Sequence, residues 1–214
     1  MADSDRTNDP GDARPRGADA VAPQLILAST SPYRRAVLER LRIPFDVMAP
    51  EVDEAPLPRE APIRTAKRLA LAKAEAVAAR HPEAIVIGSD QTATLDGVNA
   101  IGKPGSHALA VAQLRAASGH TLTFHTGLAV VRRAVGFERV CSVDTRVRFR
   151  ALSDAQIEAY LAREPAYDCA GAAKAEGLGI ALIASLAGTD PTALVGLPLI
   201  ELTTLLHAAG CPVL

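Results

Sequence analysis

The sequence predicts a mixed fold, α/β or α+β, in which one domain is divided into two lobes. Short β-branched runs such as Ala84–Gly88 occur among helical apolar stripes such as the one over Pro62–Ala79. Strands and helices do not follow a strict β-α-β alternation, which leaves both classes open. The 214 residues are 49% hydrophobic and 22% charged, enough apolar material for the core of one or two domains.

The first half of the chain is predicted to begin with an extension and to continue as strands and helices. Residues 1–23, rich in Asp, Arg, Gly and Pro, are expected to be disordered, so that the domain spans 24–214. Ser31 suits a helix cap and Pro32 the first helical position after it. The predicted elements are a strand at Gln24–Ala28, the helix after Ser31, a strand at Phe45–Val47, a helix at Pro62–Ala79, a strand at Ala84–Gly88 and a hairpin turn over Thr92–Gly97.

The second half is predicted to contain three helices and three strands. Ser106 suits a helix cap and Gly119 a helix stop, while Ser153 with Gln156 forms a capping box. A loop rich in Gly and Ala is expected at Asp168–Gly179. The predicted elements are a helix from Ser106 to Ser118, strands at Thr121–Arg132 and Val140–Arg150, a helix from Ser153 through Leu161, a strand at Ile180–Leu186 and a helix at Pro198–Ala209.

Composition excludes several classes of function. The chain has 23 basic and 24 acidic residues, a net charge of -1, so no broad binding to a nucleic acid polymer or a membrane surface is expected. Aromatic residues are 3% of the chain, and no apolar run approaches the roughly 20 residues of a membrane span. The three cysteines have no zinc-site or C-x-x-C spacing, which is typical of reduced thiols. A soluble, cytoplasmic protein is expected.

The first candidate site is Ser29-Thr30-Ser31 with the arginines that follow it. Arg34 and Arg35 lie in the first turn of the predicted helix, where positive charge is unfavourable by about 0.3–1 kcal/mol each. A bound phosphate would explain them, because free backbone N–H groups, hydroxyls and guanidinium groups would converge on it. A solvated basic helix start is the alternative. The chain lacks the G-x-x-x-x-G-K-[ST] sequence of a Walker loop.

Acidic residues and two lysines form the second group of candidates. Asp90 is predicted at the carboxyl end of a buried strand, where open sheets place ligands, and it suits a general base or a metal ligand. Its alternative is a polar strand terminus. The carboxylates of Glu51, Asp53 and Glu54 suit Mg²⁺ bridged to phosphates, or are simply solvated. Two lysines are either phosphate ligands or surface residues: Lys73 and Lys103.

The last candidate is the turn Lys174–Gly179, in which a lysine and a glutamate are followed by two glycines. Glycines allow close approach of a ligand to the backbone. The carboxylate of Glu176 can accept hydrogen bonds from a base edge that presents donors. A flexible loop is the alternative interpretation.

The order of these motifs resembles the Maf-like nucleotide pyrophosphatases, a family once named for septum-formation inhibition. The resemblance covers residues 24–210, and its motifs are Leu25–Arg35, Pro50–Glu54, Arg68-Leu69-Ala70-x-x-Lys73-Ala74, Gly88–Gln91, Gly102-Lys103-Pro104, Ser118-Gly119, Thr126-Gly127 and Gly196–Ile200. It implies an elongated mixed sheet with flanking helices and two lobes around a cleft, similar to the inosine-triphosphate pyrophosphatases. It also implies a homodimer, dependence on a divalent cation (Mg²⁺ or Mn²⁺), and hydrolysis of a nucleoside triphosphate to the monophosphate and diphosphate.

The resemblance also assigns roles to individual residues. Asp90 matches the proton acceptor, and Glu54 matches an acidic residue tied to metal and catalysis. The residues that match the basic and hydroxyl lining of the phosphate cleft are Ser29, Arg34, Arg35, Lys73 and Lys103.

Three positions resemble the branch of the family that acts on 7-methyl-GTP: Tyr33, Gln91 and Glu176. A methylated guanine is cationic and can stack on Tyr33 with a cation–π component, while Glu176 can accept from its N–H donors. Tyr33 stands where that branch often has Trp, and Ala172-Ala173 depart from its usual Ser and aromatic residue. The alternatives are a dTTP or UTP pyrophosphatase of the same family and a non-catalytic regulator of cell division.

Overall fold

A computed structural model describes residues 23–214, so the predicted extension lies outside the described residues except for Pro23. Within these residues the strands form one six-stranded sheet in the order β2-β1-β3-β4-β5-β6. The strands are β1 Leu25–Ala28, β2 Asp46–Met48, β3 Ile85–Thr94, β4 Thr121–Arg132, β5 Phe137–Phe149 and β6 Ile183–Gly188. The helices are α1 Pro32–Glu39, α2 Pro62–Ala78, α3 His107–Ala117, α4 Asp154–Arg163 and α5 Leu199–Ala208.

The sheet is mixed, which confirms the predicted fold class. Strand β1 runs parallel to both β2 and β3, whereas β3, β4, β5 and β6 pair antiparallel in succession. Helices α1 and α2 make the crossovers that parallel pairing requires, and the antiparallel half needs only short connections or single helices.

Separate apolar cores lie at the two ends of the long strands, which confirms the two lobes. On one face of the sheet, α1 and α5 cover the end that includes Ile87 and Leu128. On the same face, α3 and α4 cover the other end, around Phe124 and Val147. Helix α2 covers the opposite face of the first lobe, where its alanines pack on Val86.

Most predicted caps are present because each depends on side chains close in sequence. The Ser31 hydroxyl accepts from the Arg34 backbone N–H, and Ser153 and Gln156 form their reciprocal capping box. Ser106 caps α3 through the Leu109 N–H.

Three predicted strand boundaries were wrong. Strand β5 begins at Phe137, not at Val140, because it pairs with β4 from the Arg132–Phe137 pair onward. Strand β3 does not end at Gly88 but continues to Thr94, because β4 satisfies its backbone up to the Thr94–Thr123 pair. The strand predicted at Ile180–Leu186 begins only at Ile183, after a 3-10 segment. A Cβ at Gly179 would lie 2.5 Å from the Lys174 carbonyl oxygen, so the chain there is in a tight turn rather than extended.

Candidate functional site

The candidate site is a cleft at the edge where β1 ends and β3 continues. The last β1–β3 pair is Ala28 with Gly88, and β3 extends six residues beyond it. Side chains from both faces of β3 therefore reach the cleft, whose volume is about 830 Å³. Asp90 lies there in the middle of β3, not at its end as predicted, but it lies just beyond the carboxyl end of β1.

Two glycines bring helix α2 into contact with the sheet beside the cleft. A Cβ at Gly88 would lie 2.1 Å from the Ala70 carbonyl oxygen, and one at Gly127 would lie 2.3 Å from that of Ala66. No side chain fits at either position, so the backbone of α2 rests directly on β3 and β4. This close packing places Lys73, one turn after Ala70, over Asp90.

Lys73 joins the two candidate catalytic carboxylates. Its Nζ lies 2.7 Å from Asp90 Oδ1 and 2.9 Å from Glu54 Oε1. Lys73 and Asp90 are only 4% and 7% exposed. Burial raises the pKa of Asp90 above its ordinary value, while Lys73 and then Arg34 act in the opposite direction. The structure therefore brings together three of the predicted residues: Glu54, Lys73 and Asp90.

A second ion pair fastens the loop that carries Glu54. Arg68 of α2 donates to both carboxylate oxygens of Glu60 at 2.7 Å and to the Ala55 carbonyl oxygen at 3.1 Å. The Arg68 hydrogen bonds lower the pKa of Glu60 to about 2. Because Ala55 adjoins Glu54, this pair holds Glu54 beside Lys73. The sequence showed Arg68 within a family motif but gave no signal for its partner.

Arg34 enters the cleft from the first turn of α1. Its Nε donates to the Gly196 carbonyl oxygen at 2.9 Å, which also accepts from the Ser89 hydroxyl at 2.8 Å. Burial lowers the pKa of Arg34 from its ordinary value, and Asp90 and Glu54 act in the opposite direction. Ser29 is buried beside it, and its hydroxyl accepts from the Ser31 N–H.

Gln91 is held by the β6–α5 loop, residues 189–198. Its amide nitrogen donates to the Thr126 hydroxyl and to the carbonyl oxygens of Ala193 and Leu194, at 3.0 to 3.1 Å. This loop therefore supplies three carbonyl oxygens that accept from side chains of the cleft, those of Ala193, Leu194 and Gly196.

Asp190 fixes the shape of that loop, and sequence reasoning missed it. The buried carboxylate accepts from the backbone N–H and the hydroxyl of Thr192 and from the Ile200 N–H. The Thr192 hydroxyl also accepts from the Leu199 N–H and lies 2.8 Å from the Leu197 carbonyl oxygen. The only signal in the sequence is Asp190-Pro191-Thr192, since Asp before Pro is typical of a side-chain-stabilised turn.

Tyr33, Asp168 and Lys174 meet at the mouth of the cleft. The Tyr33 hydroxyl lies 3.2 Å from Asp168 Oδ2, and Lys174 Nζ lies 3.0 Å from Asp168 Oδ1. Lys174 Nζ also lies 5.5 Å from the centroid of the Tyr33 ring. Hydrogen bonds to Tyr33 and Asp168 raise the pKa of Lys174. Burial acts to raise the pKa of Asp168, but its hydrogen bonds, chiefly that from Lys174, hold it below its ordinary value.

The remaining predicted residues differ in position. Lys103 and Glu176 are exposed and line the cleft. Arg35 does not line it, because its guanidinium turns along the exposed side of α1 and pairs with Glu39 at 3.0 Å.

The charged residues that line the cleft show whether it could hold a metal ion. Nine charged side chains line the cleft, four cationic and five anionic: Arg34, Lys73, Lys103, Lys174, Glu51, Glu54, Asp90, Asp168 and Glu176. In residues 23–214 no three His, Cys, Asp or Glu side chains cluster as a metal site of their own. Mg²⁺ in phosphate-transfer sites is held by one or two carboxylates together with substrate phosphates. Glu54 and Asp90, which share one ammonium partner, fit that arrangement.

The fold and the cleft define a mixed α/β protein that exposes its site beyond the carboxyl end of a parallel strand, where open sheets bind ligands. The family model for Maf-like proteins matches residues 24–209, and the chain belongs to that family. The resemblance that the motifs predict is therefore confirmed. In the part of the chain that the structure describes, no helix is long and apolar enough to span a membrane.

Several curated proteins are similar to this chain over most of their length. The 7-methyl-GTP pyrophosphatase of Burkholderia pseudomallei (strain 1710b) is 58% identical over 193 residues, 89% of each chain. That of Albidiferax ferrireducens is 55% identical over 92% of this chain and 98% of its own. Among solved structures, the Staphylococcus aureus Ham1 protein matches 60% of this chain and 72% of its own, with a TM-score of 0.44 and 14% identity. A HAM1 protein from Coxiella burnetii matches 59% and 73%, with a TM-score of 0.41 and 14% identity.

Proposed function

We propose that this protein is a nucleoside triphosphate pyrophosphatase that hydrolyses 7-methyl-GTP to 7-methyl-GMP and diphosphate. The observation that carries the proposal is the buried Lys73 ammonium, bonded to Glu54 and Asp90 in a cleft that Arg34 and Lys103 also line. The relatives that are 55% and 58% identical are named 7-methyl-GTP pyrophosphatases, which supports the substrate.

In this proposal Asp90 is the general base. Water attacks the α-phosphorus, its proton passes to Asp90, the bond from the α-phosphorus to the bridging oxygen breaks, and diphosphate leaves. The raised pKa of Asp90 makes its carboxylate a stronger base. Lys73 occupies Oδ1, whereas Oδ2 has no hydrogen-bond partner within residues 23–214 and can accept from the attacking water.

The triphosphate would lie along the basic side of the cleft. Arg34 and Lys103 supply positive charge, and the hydroxyl-bearing residues Ser29, Thr30 and Ser31 line the same space. Arg35, predicted as a phosphate ligand, would reach the substrate only after leaving Glu39.

A divalent cation, Mg²⁺ or Mn²⁺, is part of the proposal. Five carboxylates line the cleft against four cationic side chains, so the lining by itself does not neutralise a triphosphate. Glu54, whose side chain is 58% exposed, would hold the ion. When bound, the ion would neutralise phosphate charge and polarise the phosphorus that is attacked.

The base would be recognised at the mouth of the cleft. Tyr33 offers a ring for a cationic purine, and the exposed carboxylate of Glu176 can accept from guanine N–H donors. Because the amide nitrogen of Gln91 is bound to the β6–α5 loop, its oxygen is the atom left for the nucleotide. Glu176→Gln should reduce the preference for guanine nucleotides, and unchanged selectivity would refute this role.

The test is diphosphate release with Mg²⁺ or Mn²⁺ from equal concentrations of 7-methyl-GTP, GTP, dTTP, UTP, CTP and ATP. Preference for 7-methyl-GTP is the expected result, and Asp90→Asn should abolish turnover while the protein stays folded. Asp154→Asn is the matched control, because Asp154 is an exposed, ion-paired aspartate that does not line the cleft.

The other outcomes decide between the alternatives. Preference for dTTP or UTP would retain the Asp90 chemistry and overturn the substrate. No release from any nucleotide, with an Asp90→Asn variant that keeps a cell-division phenotype, would favour the non-catalytic regulator.

We also propose a homodimer, as the family resemblance implies. Strand β6 pairs with β5 only from Thr145 onward, so residues 137–144 have no strand on that side within the described chain. A groove of about 680 Å³ follows this edge. An unpaired strand edge favours pairing with another chain. Light scattering coupled to size-exclusion chromatography would measure the mass, and a monomer at assay concentration would refute the dimer.

A further inference from the structure

The mouth of the cleft holds an arrangement that the proposed hydrolysis does not need. An aromatic ring, a carboxylate and an ammonium group meet there, from two segments more than a hundred residues apart: Tyr33, Asp168 and Lys174. The ammonium lies over the ring and the carboxylate contacts both other groups. None of the three contributes to activating the water at Asp90.

The position of Lys174 is fixed by several contacts. Its backbone N–H donates to the buried Tyr160 hydroxyl at 3.1 Å, and its side chain is only 17% exposed. An ammonium group this enclosed loses most of its hydrating water. The Tyr33 ring and the Asp168 carboxylate stabilise its charge in place of that water. Asp168 is 56% exposed, so a ligand in the cleft can reach it.

We propose that Tyr33 and Asp168 together form a site for one positive charge, that Lys174 fills it in the nucleotide-free protein, and that a methylated, cationic purine replaces Lys174 there. The inference rests on the proposed function and makes Asp168 a residue that determines specificity. Neutral guanine has the same ring system, without the methyl group, and has no charge to exchange for the ammonium. The protein would therefore select the charge of the methylated base through Asp168.

This arrangement makes opposite predictions for the two charged residues. Asp168→Asn keeps the size and an acceptor for the Tyr33 hydroxyl but removes the negative charge, so the cationic base should lose affinity and the neutral base should not. Lys174→Met keeps the length but removes the competing cation. The cationic base would then meet Asp168 unpaired, and its preference over the neutral base should rise.

The test is calorimetric titration of 7-methyl-GMP and of GMP into each protein, at a pH below neutrality so that the methylated ring keeps its charge. The ratio of the two affinities should fall in Asp168→Asn and rise in Lys174→Met, by between about twofold and fivefold, the range of a largely exposed charge pair. Asp154→Asn and Lys67→Met are charge-matched controls outside the cleft lining. Melting temperatures show that each variant is folded.

Three results would overturn the inference. If Lys174→Met weakens both nucleotides equally, Lys174 is a phosphate ligand and not a stand-in for the base. If Asp168→Asn leaves the ratio of the two affinities unchanged, the Asp168 carboxylate does not distinguish the cationic base from the neutral one. Either result can accompany normal diphosphate release from 7-methyl-GTP, which leaves the proposed function standing. Absence of release overturns the proposed function, and equal wild-type affinity for the two monophosphates overturns the inference.

Discussion

Replacing Gly88 by alanine tests whether the contact between α2 and the sheet positions the site. The new Cβ would lie 2.1 Å from the Ala70 carbonyl oxygen and 2.7 Å from the Ala74 backbone nitrogen. Both neighbours are helix backbone, which cannot rotate away as a flexible side chain does. Helix α2 must therefore move off the sheet by about 1.4 Å to restore ordinary contact distances of roughly 3.5 Å.

The size of the effect follows from that shift. Overpacking of this kind costs about 1–3 kcal/mol, which lowers the melting temperature of a protein of this length by about 2–12 °C. Lys73 lies one turn from Ala70 on the helix face that moves, so its 2.7 Å contact with Asp90 should lengthen. A misplacement of about one ångström can lower kcat by up to a hundredfold.

Two measurements separate the effects. Thermal unfolding gives the loss of stability, and diphosphate release well below the melting temperature gives kcat of the folded variant. Gly102→Ala is the stability control, because a Cβ there meets nothing within 4 Å. If Gly88→Ala has the same melting temperature as the wild type, the close contact does not constrain α2. If it is destabilised but keeps full kcat, the helix position does not set the Lys73–Asp90 geometry.

Three further predictions follow from the site and its supports. Burial raises the pKa of Asp90, so the acid limb of the pH profile of kcat/KM should lie above the ordinary aspartate pKa of about 3.9. Activity should fall as the pH drops through that limb, because Asp90 becomes protonated. An acid limb at or below about 3.9 would contradict the assignment of Asp90 as the base. The lowered pKa of Glu60 contributes stability above its unfolded value of 4.5 that is lost as pH falls towards about 2. Glu60→Gln should therefore unfold at lower urea than the wild type at neutral pH, with the difference shrinking in acid, and a pH-independent difference would show that the Arg68 ion pair is not its source. Asp190→Ala should lose about 2–3 kcal/mol in urea unfolding, since three donors lose a charged acceptor, and should raise KM through the β6–α5 loop. A loss below about 0.5 kcal/mol would place it with ordinary surface substitutions.

Elements with local signals were predictable from the sequence. The Ser31 cap, the Ser153–Gln156 capping box and the helix from Pro62 each depend on residues within a few positions of one another. The end of β3 was not predictable, because it depends on pairing with β4 through Thr123, about thirty residues away.

Some residues of the candidate site were also predictable from the sequence, and others were not. Asp90 and Glu54 could be chosen from their types and motifs, and the structure brings both to Lys73. Arg34 and Arg35 looked equivalent in sequence, yet only Arg34 enters the cleft. The difference is one of direction, because adjacent residues point about 100° apart around a helix of 3.6 residues per turn.

The sequence by itself determined the family, the order of the motifs and the residue types available for chemistry, because these depend on the chain alone. Tertiary structure decided which of those residues meet. Arg34 and the Gly196 carbonyl oxygen are 162 residues apart in the chain and 2.9 Å apart in the fold. Tyr33 and Asp168 are separated by 135 residues and meet at 3.2 Å. Such contacts depend on how the whole sheet twists and on how closely two glycines let one helix approach it, and no local pattern of residues encodes those distances.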